Sequence, residues 1–244
     1  MRLAGEEAAK RFVQTHFPLC DGALLAGSVA QGGATEASDL DLVIFDESQD
    51  GPFRRTYRDF GWIIEVFVLT RESYRYFFDV AIESAIPSLL RMCACGVPLH
   101  GQAAISDILE EARSALAAGP PPWDIRELDK ARYELSELAA DLTGAEDRAE
   151  CMFIAADLGR QLAVFALRTR CCWLGEGKWL VRSLRDCDAG ASGKLVAALE
   201  AFYRNYHKSQ LLTLAEEWLA PYGGPLTEGY AEGQEAEEDF FGRG

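Results

Sequence analysis

Asp39 and Asp41 stand at the head of a strongly apolar, β-prone run, Ser38-Asp39-Leu40-Asp41-Leu42-Val43-Ile44-Phe45. Alternate side chains of a strand share a face, so the two carboxylates point the same way, with Cα atoms about 6.5–7 Å apart. Acids on so apolar a strand repel each other and lose hydration. A bound divalent cation removes both costs, and all-oxygen donors suit Mg2+. Upstream, the apolar run Ala23 to Ala26 leads into Gly27-Ser28, placed to open a helix whose backbone N–H groups can hold a phosphate. The plain alternative is a turn-rich hairpin with exposed acids at its mouth.

A further acid lies downstream. In Trp62 to Leu69, WIIEVFVL, residues Trp62, Ile64, Val66 and Val68 share one face and Ile63, Glu65 and Phe67 the other. A carboxylate flanked by Ile63 and Phe67 needs a partner. The preceding strand, Phe53 to Phe60, carries Arg54, Arg55 and Arg58. These arginines either pair with Glu65, help neutralise a polyphosphate, or form a solvated edge strand, which is the simplest of the three.

Gly27-Ser28, ten intervening residues and Asp39-x-Asp41 form a pattern that resembles the nucleotidyltransferase superfamily of the DNA polymerase β type. Within it, the wording GSVAQGG…SDLDLVIF looks most like the aminoglycoside adenylyltransferases and their uncharacterised bacterial relatives. The resemblance implies an α+β fold: an N-terminal nucleotidyltransferase domain, a mixed sheet with helices, followed by a C-terminal α-helical bundle. It implies Mg2+, as two ions, held by Asp39 and Asp41, with Glu65 as third ligand or as the base for an acceptor hydroxyl. ATP is the implied donor, its phosphates on Gly27-Ser28, and the implied acceptor is a small-molecule hydroxyl. An arginine and a lysine of the helical domain reach nucleotide phosphates in such enzymes, and Arg168 and Lys178 look like that pair. Rival readings are an AMPylase acting on a partner protein, a nucleotide-binding module without turnover, and an RNA-tailing enzyme.

Those residues need positioning elements, and the chain supplies them in order. Leu3 to Phe17 reads as an amphipathic helix stopped by Pro18. After the strands, Glu72 to Cys95 reads as helix broken near Pro87, then comes a short extended piece at Gly96 to Leu99 and a helix from Ala103 to Ala118. Gly119-Pro120-Pro121-Pro122 cannot continue a helix and is taken as the linker, so the catalytic domain spans 1–118 and the bundle 123–222.

In the bundle, Asp124 is placed to cap a helix from Ile125 to Leu142 whose core stripe is Ile125, Leu128, Leu135, Leu138 and Leu142. A second stripe, Tyr133, Glu134, Glu137 and Asp141, is either a solvated face or a holder for a cationic acceptor. Ala149 to Leu174 reads as the long central helix, followed by Lys178 to Leu184, Ala191 to His207 and Gln210 to Leu219. Gly175-Glu176-Gly177-Lys178 is not a Walker loop, since no strand precedes it and no Ser or Thr follows the lysine. Lys178 and Arg182, four apart on one helical face, invite an anion between them or surface pairs with Glu176 and Asp186. Residues 223–244, acidic and glycine-rich, read as a flexible tail.

Composition narrows the partners. A formal charge of −15 argues against tracking a nucleic-acid backbone and suits a nucleotide handled through metal, or a cationic substrate. No run approaches a membrane span, and MRLAGEEAAKRF has no apolar signal core, so a cytoplasmic protein without membrane partners is expected. The seven cysteines are then expected as reduced thiols, and Cys93, Cys95, Cys171 and Cys172 as buried small hydrophobes, since His16, His100 and His207 sit at no zinc-ligand spacing to them.

Overall fold

The structure, a computed structural model, describes residues 2–233. The chain divides between Pro121 and Pro122 into two compact units. The first contains α1 (Gly5–His16), β1 (Gly22–Ala26), a four-residue α2 (Gly27–Ala30), β2 (Leu40–Phe45), β3 (Phe53–Asp59) and β4 (Trp62–Leu69). Helices α3 (Ser73–Glu83) and α4 (Ser88–Cys95), strand β5 (Val97–His100) and helix α5 (Ser106–Ala118) complete it. Pro87 separates α3 from α4, since its ring removes a backbone donor and crowds the preceding turn.

The five strands form one mixed sheet in the order β3-β4-β2-β1-β5. β2 and β4 run parallel, and the other neighbouring pairs are antiparallel. Strand alternation sorts the side chains. Leu40, Leu42 and Ile44 of β2, with Ile64, Val66 and Val68 of β4, pack beneath Ala8, Ala9, Phe12 and Val13 of α1. Asp41 and Glu65 occupy the intervening positions and therefore point to the opposite face. Further along that face Phe45 meets Tyr74 of α3 edge-on, with ring centroids 6.4 Å apart.

The second unit is helical: α6 (Ile125–Gly144), α7 (Arg148–Arg168), α8 (Lys178–Cys187), α9 (Ala189–Asn205), α10 (Lys208–Leu219) and a 3-10 turn, Ala220–Tyr222. Asp124 and Glu127 form a reciprocal capping box at the start of α6. Asp147 and Asp188 cap α7 and α9 by accepting from the backbone N–H of Glu150 and Ala191. α7 packs against α6, α8, α9 and α10, and buries Leu158, Leu162, Phe165 and Leu167. Among the described residues no helix is long and apolar enough to cross a membrane.

Three expectations are corrected here. Ile125, taken as part of the α6 core stripe, is 67% exposed. It is the first residue of the helix, and the stripe is buried only further along, at Leu135 and Leu142. The cysteines are neither all free nor all buried, because Cys172 and Cys187 form a disulfide and Cys95 and Cys171 are exposed. The bend after α7 brings Cys172 back to the end of α8, with 6.5 Å between the Cα atoms. Finally, residues 224–233 of the acidic tail are docked on α6. Tyr230 stacks on Tyr133 at 4.2 Å, the backbone N–H of Leu226 donates to Ser136 Oγ at 2.9 Å, and Lys130 pairs with Glu232. Composition suggested a free tail because it does not reveal that one tyrosine has a stacking partner. Residues 234–244 of the expected tail lie outside the described residues.

Candidate metal and phosphate site

The parallel pairing of β2 with β4 sets Asp41 opposite Glu65 in register. Asp39 stands just ahead of β2. Asp39, Asp41 and Glu65 each offer a carboxylate oxygen, and these oxygens lie within 4.8 Å of one another. All three residues are half-buried. Like charges this close repel wherever they are ionised, and a shared cation relieves that repulsion.

The turn beside the cluster is shaped by it. Gly27 has φ +67, in the region that favours glycine, and a Cβ there would lie 1.9 Å from Asp41 Oδ2. The Asp41 carboxylate thus occupies the space that any other residue at 27 would need. Ser28 Oγ donates to Ser38 Oγ at 3.3 Å, and Ser38 Oγ also accepts from the Thr35 N–H at 2.8 Å. These contacts tie the Gly-Ser turn to the loop that delivers Asp39.

That loop has a second anchor, which motif reading missed. The Arg2 guanidinium lies 3.4 Å from the centre of the Trp62 ring and donates to the Glu36 and Ser38 carbonyls, at 2.8 and 2.9 Å. Nothing local in the sequence marks Arg2, whose partners are more than thirty residues away. Arg54, weighed first as a solvated edge residue, stands on the edge strand and also pairs with Glu65.

The donor set fits a hard divalent cation. Oxygens sharing one Mg2+ are at most about 4.2 Å apart, twice its usual bond length. Oxygens within 4.8 Å of one another are close to that limit, so the three carboxylates fit the donor set such an ion needs.

The remaining candidates lie in the helical unit and differ from one another. Lys178 and Arg182 are exposed on α8, with the Arg182 guanidinium 4.8 Å from the Trp179 ring. Arg168 is only 5% exposed and sits 5.4 Å from the Trp123 ring. Burial pushes its pKa down, and the nearby Glu127 carboxylate offsets part of that. Arg168 is thus interior to the bundle, while Lys178 is on its surface.

No protein-family model matches the chain, and no curated protein does. Among solved structures it is similar to a nucleotidyltransferase-like protein from Exiguobacterium sibiricum 255-15. The identity is 11%, the match covers 88% of this chain and 74% of that one, and the TM-score is 0.47. At that level of similarity, any functional reading must rest on the geometry of the site itself.

Proposed function

We propose that the chain is a divalent-metal-dependent nucleotidyltransferase that moves a nucleoside monophosphate, AMP from ATP, onto a hydroxyl acceptor. The observation that carries this reading is the carboxylate cluster of Asp39, Asp41 and Glu65, packed against a glycine turn with no room for a Cβ. Asp39 and Asp41 would hold Mg2+, with Glu65 as a third oxygen ligand or as the base that takes the acceptor's proton. The bound metal would neutralise charge on the triphosphate and orient it for in-line displacement of pyrophosphate. The chain's own part is positioning: Gly27-Ser28 offers backbone donors to phosphate, and the loop held by Arg2 fixes Asp39 relative to Asp41. No covalent intermediate on the protein is required, which suits a site made of acids and backbone amides. The net charge of −15 favours a small, cationic acceptor over a nucleic acid.

The test is Mg2+-dependent release of pyrophosphate from ATP, with label from the α-phosphate followed onto a library of small hydroxyl compounds and onto proteins. Transfer that needs Mg2+, Asp39 and Asp41 supports the reading. Absence of both metal binding and ATP binding by the folded protein would refute it.

A further inference from the structure

Arg54 reaches the acid cluster by a route that strand pairing alone does not require. In the β3–β4 register Thr56 stands opposite Glu65, whereas Arg54 stands opposite Phe67. The Arg54 side chain crosses diagonally, its guanidinium 5.0 Å from the Phe67 ring, and donates through Nη2 to Glu65 Oε2. The side chain of Arg54 is 59% exposed and that of Glu65 is 22% exposed. A flexible cation thus stands at the rim and the acid behind it.

We infer, on the strength of the proposed nucleotidyl-transfer reading, that Arg54 is an exchangeable counter-ion of the site. It pairs with Glu65 while the metal is absent, yields that carboxylate when a divalent cation binds, and then serves as a cation for the nucleotide's phosphates. A guanidinium and a metal on the same Glu65 carboxylate draw on one negative charge and repel each other, so each weakens the other's hold. An exposed pair is weak enough to exchange readily, its partner being only partly desolvated. The freed guanidinium presents a planar set of donors suited to phosphate oxygens.

This predicts changes of opposite sign from one substitution. In titrations of the whole 244-residue chain with Mn2+ alone, Arg54→Ala should bind metal about two- to fivefold more tightly than the unsubstituted chain at low salt. The difference should shrink at high salt, as it does for a partly exposed charge. With metal saturating, the same variant should bind a non-hydrolysable ATP analogue about fivefold or more weakly. Arg54→Lys should fall between on both measures. Weaker binding of both ligands would make Arg54 a structural brace, and no change in either would make it an ordinary edge-strand arginine. Tighter metal with unchanged nucleotide affinity would remove its phosphate role. Each of these outcomes overturns the inference while leaving the proposed function standing. An unsubstituted chain that binds neither Mn2+ nor the analogue overturns both.

Discussion

Gly27→Ala perturbs the site at the point where backbone and chemistry meet. At φ +67 an alanine pays the left-handed penalty of about 1–2 kcal/mol. For a unit of this size that loss lowers the melting temperature by several degrees. The larger consequence is steric. The new Cβ would be 1.9 Å from Asp41 Oδ2 and 2.9 Å from its Cγ, where ordinary contacts begin near 3.4 Å. The carboxylate must therefore retreat by more than an ångström, away from its place beside Asp39 and Glu65. A misplacement of about 1 Å in a positioned group costs about a hundredfold in rate. Gly32→Ala separates the two effects. Gly32 has φ +72 but nothing within 4 Å of its Cβ position, so it shares the backbone penalty and displaces no carboxylate. Both variants should melt lower in EDTA, Gly27→Ala by the larger amount because it adds a clash to the shared backbone penalty. Only Gly27→Ala should lose Mn2+ affinity and about two orders of magnitude in Mg2+-dependent pyrophosphate release. If the two variants bind metal equally well, the close packing of Gly27 on Asp41 does not position the site.

Other consequences are equally open to measurement. Asp41→Asn removes one of two like charges set directly opposite across β2 and β4, so its melting temperature in EDTA should hold or rise while turnover falls at least about a hundredfold. A folded variant with near-normal pyrophosphate release would exclude Asp41 from the chemistry. Burial pushes the Cys93 thiol up to about 12 and that of Cys20 up to about 11, so both carry little thiolate at pH 8. Iodoacetamide at that pH should therefore label the exposed Cys95 and Cys171, with Cys172 and Cys187 reacting only after reduction. Mass spectrometry showing fast native labelling of Cys93 would contradict this. Tyr230→Ala removes an aromatic pair worth about 0.5–1.5 kcal/mol, so proteases should cut residues 224–233 roughly two- to tenfold faster. An unchanged rate would mean the stack does not hold the segment.

Several features were legible in the chain because they depend on neighbours in sequence. The alternation in LDLVIF and WIIEVFVL put Asp41 and Glu65 on the faces they occupy, since a strand's side-chain period of two is a local property. The break at Pro87 and the cap at Asp124 are local for the same reason, each acting within one turn of backbone. Gly27-Ser28 could be marked as a special turn from residue type alone.

Sequence alone could not decide which strands pair. That Asp41 faces Glu65 follows from β4 inserting between β3 and β2 in parallel with β2, a choice made by burying apolar faces against α1 over the whole sheet. The same insertion puts β3 at the edge and lets Arg54 cross to Glu65, so an arginine with three open roles in the sequence acquires a specific partner. Arg2, the Cys172–Cys187 bond and the stacking of Tyr230 on Tyr133 are likewise invisible in spacing, because their partners are distant in the chain or lie across a bend. Residue types and short-range periodicity determined which groups were available for chemistry. Long-range packing, which sets distances between residues that no local rule connects, decided which of them meet.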